Sequence, residues 1–154
     1  MDSKQLNVLL ADDDDDDCIF FSAAIEEIKE STNLTIVHGG EQLMDLLAND
    51  TGVLPDVLFL DLNMPRKNGF ECLLEIKWSV TLTTLPVIIF STSFELDVVN
   101  LLYKSGAQYF IRKPAGFHPF KNVIQQSLSL IRQGNVTQPE REGFVLTANQ
   151  SQFM

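Results

Sequence analysis

Residues 8–17 read VLLADDDDDD, a short apolar run that passes directly into six consecutive aspartates. Four more apolar runs follow it, at residues 34–37, 57–60, 87–90 and 109–111. Each run is rich in Val, Ile, Leu or Phe and too short for a helix. A strand with one solvated face alternates apolar and polar residues, whereas these runs are nearly continuous. They therefore predict strands that are covered on both faces, as in a parallel sheet.

Apolar side chains at helical spacing separate the predicted strands. Phe21, Ile25 and Ile28 recur at steps of four and three, and the longest such stripe begins at Phe120 and ends at Ile131. These steps place the side chains on one face of a helix. Five strand–helix units in succession predict a doubly wound α/β fold of the flavodoxin-like class, with helices on both faces of the sheet.

Helix-end signals agree with this interpretation. Asn68 precedes Phe70, and Glu71 follows Asn68 by three residues, which is the spacing of a capping box. Gly106 and Gly134 follow the last turns of two predicted helices, where glycine commonly ends a helix.

Composition limits the classes of function. The chain has 154 residues, enough for one domain with an apolar core. Its 21 acidic residues against 11 basic ones give a formal net charge of −10, which disfavours nucleic-acid binding because such binding needs a basic surface. No secretory signal and no apolar run of membrane-spanning length is visible. Cys18 and Cys72 lack a CxxC partner, so we expect a reduced, cytoplasmic protein with no nucleic-acid or membrane partner.

The last part of the chain has a different composition. Residues 133–154 are polar, with one apolar patch at residues 144–146, and are too few for an output domain. We expect one domain over residues 6–132 and a frayed or loosely docked polar tail over residues 133–154.

Chemically active residues follow the predicted strands at one edge of the sheet. Residues 12–17 follow the first strand, Asp61 the third, Ser91 the fourth and Lys113 the fifth. Ligands of parallel α/β sheets bind beyond the carboxyl ends of the strands. Crowded carboxylates need raised pKa values or a cation, and oxygen ligands suit Mg²⁺. A carboxylate beside such a cation can act as a nucleophile toward a phosphoryl group, with a lysine neutralising charge.

Each of these features also has an ordinary structural explanation. A run of aspartates is usually a solvated segment, and residues 15–17 at the start of a helix are favoured by the helix dipole. Asp61 alone could form a turn, and Lys113 could lie on the surface. These explanations do not account for Asp12 and Asp13, which directly leave a buried strand. Placement of all these groups at successive strand ends favours a site.

Four segments together resemble the signature regions of the response-regulator receiver domain of two-component signalling, namely residues 8–13, 61–65 with Gly69, 91–92 and 113–114. Their order and spacing match over residues 6–132, and four motifs in order are far more specific than one. The resemblance implies a five-stranded parallel sheet in the order 2-1-3-4-5. Residues 61–69 are also similar to the single-domain, stand-alone regulators that serve phytochrome-type kinases.

The resemblance implies roles for the residues at the edge. Asp61 would be the phospho-acceptor. Mg²⁺ (or Mn²⁺) would be held by Asp13 directly, by Asp12 through a water, by Asp61 and by the backbone carbonyl of Asn63. Lys113 would pair with the acceptor carboxylate and then with the phosphoryl oxygens.

The same resemblance implies a conformational switch. Ser91 would hydrogen-bond a phosphoryl oxygen, and Phe110, as the switch aromatic, would turn inward as Ser91 moves. The side chains of Asn63 and Ser93 would flank the route of the hydrolytic water and tune the lifetime of the phosphate. The peptide bond after Lys113 would be cis.

Partners follow from the resemblance as well. A histidine kinase or phosphotransfer protein would donate the phosphoryl group, and the readout face would comprise residues 97–104, 109–111 and 119–132. A downstream protein would bind that face, or a homodimer would form through it. The protein would catalyse only its own phosphorylation and dephosphorylation.

Alternatives to this interpretation concern register and activity. If the first strand is one residue longer, the metal pair changes from Asp12 and Asp13 to Asp13 and Asp14. A degenerate receiver acting as a phosphorylation-independent protein-binding module is the competing function. A phosphatase of the dehalogenase type would need a Thr or Val after its paired aspartates. A calcium loop would need a glutamate at its twelfth position, where Ala23 or Ala24 stands.

Overall fold

The computed structural model describes residues 5–28, 31–49, 54–134 and 137–148. A parallel sheet with the strand order 2-1-3-4-5-6 lies at its centre. Its strands are β1 (Leu6–Ala11), β2 (Thr32–Val37), β3 (Val57–Leu60), β4 (Val87–Ser91), β5 (Tyr109–Arg112) and β6 (Val145–Leu146). The helices are α1 (Asp15–Glu27), α2 (Gly40–Ala48), α3 (Gly69–Trp78), α4 (Leu96–Lys104) and α5 (Phe117–Arg132). The predicted fold class is confirmed, and the sheet has one more strand than the five predicted.

The core lies in two layers, one on each side of the sheet. Successive residues of a strand point to opposite faces, so Leu9 joins the layer under α2, α3 and α4, while Leu10 joins the layer under α1 and α5. Four buried phenylalanines pack edge to face in the second layer, namely Phe21, Phe59, Phe90 and Phe120. Burial on both faces explains why the strands are apolar at nearly every position.

Helix ends follow the predicted signals. Asn68 and Glu71 form a capping box at the start of α3, with both reciprocal hydrogen bonds present. Gly106 and Gly134 have φ angles of 102° and 75°, the left-handed conformation that glycine adopts without strain. These ends define where α3 begins and where α4 and α5 stop.

The C-terminal segment is part of the fold. Residues 137–148 pass along α4, make a single 3₁₀ turn at Arg141–Gly143 and then form β6 beside β5. Phe144 is fully buried against Tyr103, with ring centroids 5.1 Å apart. The expectation of a frayed or loosely docked tail is wrong for these residues. β5 would otherwise be an edge strand with unpaired backbone N–H and C=O groups. β6 pairs with this edge, while burial removes the Phe144 side chain from water.

The structure also tests the expectations about membrane-spanning helices and about the peptide bond after Lys113. Among the described residues no helix combines the length and apolar character needed to cross a bilayer. The described peptide bonds are all trans, including the bond after Lys113 for which the resemblance implied cis. Trans is the lower-energy isomer even before proline, by about 0.5–1 kcal/mol.

Candidate functional site

Three carboxylates meet at the carboxyl edge of the sheet. Asp12 and Asp13 directly follow β1, and Asp61 directly follows β3, the strand that neighbours β1. One oxygen from each lies within 4.8 Å of the others, a spacing that could hold a metal ion. Asp12 and Asp61 are buried, whereas Asp13 is exposed. The cluster therefore combines two buried carboxylates with one that is exposed to solvent.

The end of β1 at Ala11 decides between the two possible registers. Asp14 is the N-cap of α1, and its side chain accepts a hydrogen bond from the Asp17 backbone N–H at 3.0 Å. Its carboxylate is thus engaged with the helix, and the cluster contains Asp12 and Asp13 rather than Asp13 and Asp14.

Backbone N–H groups orient both buried carboxylates. The Asp14 N–H donates to Asp12 Oδ1 at 2.9 Å, and the Asn63 N–H donates to Asp61 Oδ1 at 3.4 Å. Each donor lies two residues after its acceptor, as in an Asx turn. The loops after β1 and β3 therefore aim these side chains into the cluster.

Lys113 supplies the positive charge of the site. Its Nζ donates to Asp17 Oδ2 at 2.7 Å and to Asp12 Oδ2 at 2.9 Å, and it lies 3.7 Å from Asp61 Oδ1. The same ammonium lies 5.2 Å from the centroid of the Phe90 ring, and the side chain is only 4% exposed. Lys113 is thus enclosed by three carboxylates and an aromatic face, and its contact with Asp61 is the longest of the three ion pairs.

Burial and charge shift the ionisation of these groups in a consistent way. Burial raises the pKa of Asp61 to about 6, although the Lys113 charge opposes the rise. Burial likewise raises the pKa of Asp12, against the hydrogen bond from Lys113. Burial alone would lower the pKa of Lys113, but hydrogen bonds to Asp12 and Asp17 and the charge of Asp61 raise it to about 12. The site therefore holds a permanent ammonium beside carboxylates whose ionisation is disfavoured.

Ser91 ends β4 and Ser93 follows two residues later, at the same edge of the sheet as this cluster. Ser91 is fully buried, and its Oγ lies 3.2 Å from Ser93 Oγ and accepts from the Ser93 N–H at 3.3 Å. The Lys113 N–H donates to the Ser91 carbonyl at 2.8 Å. This hydrogen bond joins β4 to β5 at the edge of the sheet. Ser91, the predicted switch residue, and Lys113, the predicted partner of the phosphoryl oxygens, both lie there.

Phe110, the predicted switch aromatic, is already buried. It is 1% exposed and packs edge to face with Phe94, with ring centroids 5.7 Å apart. Its backbone N–H donates to the Phe144 carbonyl at 3.0 Å. The C-terminal segment therefore contacts the very residue at which the switch was predicted.

Sequence reasoning did not identify Asp17 as part of the site. The helix dipole was a sufficient explanation for an acidic residue in the first turn of a helix, yet the side chain reaches Lys113. The available signal was its position in the first turn of the helix that directly follows Asp12 and Asp13 at the carboxyl edge of the sheet.

The donor set fits a hard divalent cation. It consists of carboxylate oxygens alone, two of them buried with raised pKa values, and a bound cation would offset their mutual repulsion. The backbone carbonyl of Asn63 as a further ligand stays a prediction. So do the roles of Asn63 and Ser93 in dephosphorylation.

Comparison with known proteins gives a consistent result. The family described as the response regulator receiver domain matches residues 8–125. The response regulator Rcp1 of Synechocystis sp. is 30% identical over 107 residues, which is 65% of this chain and 73% of that protein.

Solved structures agree with these relatives. The phosphorylated cyanobacterial phytochrome response regulator RcpA superposes with a TM-score of 0.77 at 26% identity, covering 89% of this chain and all of that one. The Mn²⁺-bound form of Rcp1 gives a TM-score of 0.76 at 26% identity, covering 87% of this chain and 99% of that one.

Proposed function

The chain belongs to the family of response regulator receiver domains, and we propose that it is a phosphorylation-dependent switch that takes its phosphoryl group on Asp61. Receiver domains are the phospho-accepting parts of two-component systems, so a histidine kinase or phosphotransfer protein is the expected donor. The protein would act on no substrate other than its own phosphoryl group.

One observation carries this proposal. The Asp61 carboxylate belongs to a cluster with Asp12 and Asp13, in which one oxygen from each lies within 4.8 Å of the others, and a buried ammonium lies 3.7 Å from it. A nucleophilic carboxylate with both a cation site and a lysine beside it has the groups that phosphoryl transfer requires.

Asp12, Asp13 and Asp61 would hold the divalent cation, with the Asn63 carbonyl as a further ligand. When bound, Mg²⁺ or Mn²⁺ would neutralise the negative charge of the phosphoryl oxygens. A relative with the same fold, Rcp1, has been solved in an Mn²⁺-bound form, which supports binding of a divalent cation by this chain.

The proposed reaction is a simple displacement. An Asp61 carboxylate oxygen attacks phosphorus and forms an O–P bond while the bond between phosphorus and the donor breaks, and the donor leaves with the electron pair of that bond. Lys113 meets the incoming oxygens with a charged N–H donor, because its pKa of about 12 keeps it protonated throughout the neutral range.

The signal would leave the site through Ser91 and Phe110. A phosphoryl group adds strong acceptors beside the buried Ser91 hydroxyl and so favours any state in which that hydroxyl donates to them. The α4–β5–α5 face would respond, and part of it is covered by residues 137–148. A partner would therefore meet a surface of α4 and β5 that includes this segment, or would displace it.

The test is intact mass after incubation with acetyl phosphate, with and without Mg²⁺. We expect wild type to gain one phosphoryl group only with the metal. Asp61→Asn should gain none, and Asp45→Asn, which removes an exposed aspartate of α2, should behave as wild type. Wild type that remains unmodified by acetyl phosphate and by a phosphorylated histidine donor would contradict the proposal and favour a phosphorylation-independent binding module.

A further inference from the structure

Asp17 makes the shortest ion pair of Lys113. Its Oδ2 accepts from Lys113 Nζ at 2.7 Å, compared with 2.9 Å for Asp12 and 3.7 Å for Asp61. Unlike Asp12 and Asp61, Asp17 is not a member of the carboxylate cluster with metal-holding spacing. Asp12 and Asp61 could therefore pair with a metal ion as well as with Lys113, whereas Asp17, among the residues that the structure describes, pairs with Lys113 only.

Local structure holds Asp17 in position for this contact. It is the third residue of α1, and its backbone N–H is bound by the side chain of the N-cap Asp14. Its side chain is 25% exposed, whereas that of Lys113 is 4% exposed. Asp17 thus reaches inward from a fixed helix turn to a lysine 96 positions away in the chain.

An ammonium has three N–H donors and no acceptor. Asp12 and Asp17 accept two of them, which leaves one for the oxygens on Asp61. Once a cation occupies the cluster, the charge of Asp12 is shared with that cation. Asp17 is then the carboxylate that pairs with Lys113 without also binding the cation.

We propose that Asp17 is a positioning residue for phosphoryl transfer, which anchors the Lys113 ammonium so that its remaining N–H faces the oxygens at Asp61; this inference rests on the proposed function. Without Asp17, the lysine keeps a single hydrogen-bonded anchor and can rotate away from Asp61 or pair more closely with Asp12. Either change removes the charge from where the incoming phosphoryl oxygens arrive.

Asp16 provides a matched control. It occupies the same first turn of α1, is exposed and makes no ion pair among the residues that the structure describes. Asp16→Asn and Asp17→Asn remove the same charge from the same helix N-terminus, so any effect of net charge or helix dipole is common to both. Only Asp17→Asn replaces the charged acceptor of Lys113 with a neutral amide oxygen, which binds an ammonium more weakly.

The first experiment compares the initial rate of phosphorylation by acetyl phosphate with the Mg²⁺ Kd from calorimetry. We expect Asp17→Asn to be phosphorylated roughly tenfold or more slowly than Asp16→Asn, because misplacing a charged group by about 1 Å can cost more than that. The Mg²⁺ Kd of the two variants should agree within about twofold, since neither residue is a metal ligand. Equal rates, or a Kd that rises as much as the rate falls, would overturn the proposal.

The second experiment observes the lysine directly. In ¹⁵N-labelled, metal-free protein, the side-chain ammonium of Lys113, assigned through Lys113→Gln, should exchange slowly with water in wild type and in Asp16→Asn. Its exchange should be faster in Asp17→Asn, because a neutral amide oxygen holds an ammonium less firmly than a carboxylate does, and unchanged protection would overturn the anchoring. If wild type accepts no phosphoryl group from any donor, the proposed function fails and the role of Asp17 in transfer fails with it. The ammonium signal still decides whether Asp17 anchors Lys113.

Discussion

The Asp61 carboxylate is buried without a full set of partners. It is 5% exposed, accepts one long backbone hydrogen bond from Asn63 and lies 3.7 Å from Lys113. Asp12, by contrast, accepts both the Asp14 N–H and the Lys113 ammonium. Asp61 is thus the less neutralised of the two buried carboxylates, which suits its proposed role of binding a cation and attacking phosphorus.

This burial predicts a pH-dependent stability. Folding raises the pKa of Asp61 from 3.8 to about 6, so the folded state binds a proton that the unfolded state releases. The resulting stability is present below pH 4 and is lost as the pH rises through 6. At pH 7.5 without metal, Asp61→Asn should therefore be more stable than wild type by roughly 1–3 kcal/mol, at about 1.4 kcal/mol per pKa unit. Urea unfolding with a chelator present measures the difference.

The expected difference between the two proteins shrinks as the pH falls from 6 and disappears below about 4. Asp45→Asn should follow wild type at every pH, because Asp45 is exposed. A metal-free Asp61→Asn that is less stable than wild type at pH 7.5 would mean that attraction by Lys113 outweighs the burial of the charge.

At the level of elements, the start of α3 packs tightly against the end of β3. A Cβ added to Gly69 would lie 2.2 Å from the backbone oxygen of Asp61 and 2.9 Å from the Cα of Leu62. The Gly69 N–H also donates to the Leu62 carbonyl at 3.0 Å. Glycine is required here because the backbone of α3 directly contacts the loop that carries Asp61 and Leu62, here called the acceptor loop. This contact explains why Gly69 belongs to the same motif as residues 61–65.

Gly69→Ala should therefore affect both stability and phosphorylation. Two backbone segments would have to separate, with a cost of about 1–3 kcal/mol that is typical of overpacking. The shift would move Asp61 itself and slow its phosphorylation. Thermal unfolding and the acetyl phosphate assay on the same preparation measure the two effects.

Gly143→Ala serves as the control for this substitution. An added Cβ there meets Pro139 at 3.9 Å, an ordinary van der Waals contact. If Gly69→Ala matched Gly143→Ala in stability and in phosphorylation rate, the close approach of α3 to the acceptor loop would have no functional consequence.

On the scale of the whole molecule, the C-terminal segment, residues 137–148, joins α4 and β5 to each other. The Gln138 side chain donates to the carbonyls of Tyr103 and Ala107, and the Tyr103 hydroxyl donates to the Pro139 carbonyl at 2.8 Å. Arg141 donates to the Asn100 side chain at 2.7 Å. Residues 137–148 thus connect α4 to β5, so any movement of α4 on phosphorylation must move or loosen this segment.

Phe144→Ala tests how firmly the segment is held. Removal of a fully buried phenylalanine costs about 3–5 kcal/mol. The Phe110 amide, whose N–H is bound by the Phe144 carbonyl, should exchange with solvent faster than in wild type. Urea unfolding and amide exchange by NMR measure these effects.

Val145→Ala removes a half-buried side chain from the same segment and should cost less than Phe144→Ala. Unchanged stability and unchanged exchange at Phe110 in the Phe144 variant would contradict the docked arrangement.

Local pattern was sufficient for much of this molecule. Continuous apolar runs predicted β1 to β5, helical spacing predicted the five helices, and Asn68, Gly106 and Gly134 marked helix ends that the structure confirms. These features depend on residues close in the chain, whose backbone preferences and periodicity are legible in sequence. The grouping of Asp12, Asp13 and Asp61 was also predictable, because parallel strands bring their carboxyl ends to one edge.

Other features arise only when distant segments meet. The residues of β6 carry no strand periodicity, and they form a strand because β5 offers an open edge and Phe144 covers an apolar surface. Asp17 acquires its role from Lys113, which packing brings across the sheet edge. The raised pKa of Asp61 depends on how deeply the folded chain buries it. Desolvation and long-range contacts are properties of the packed chain, so no local pattern contains them.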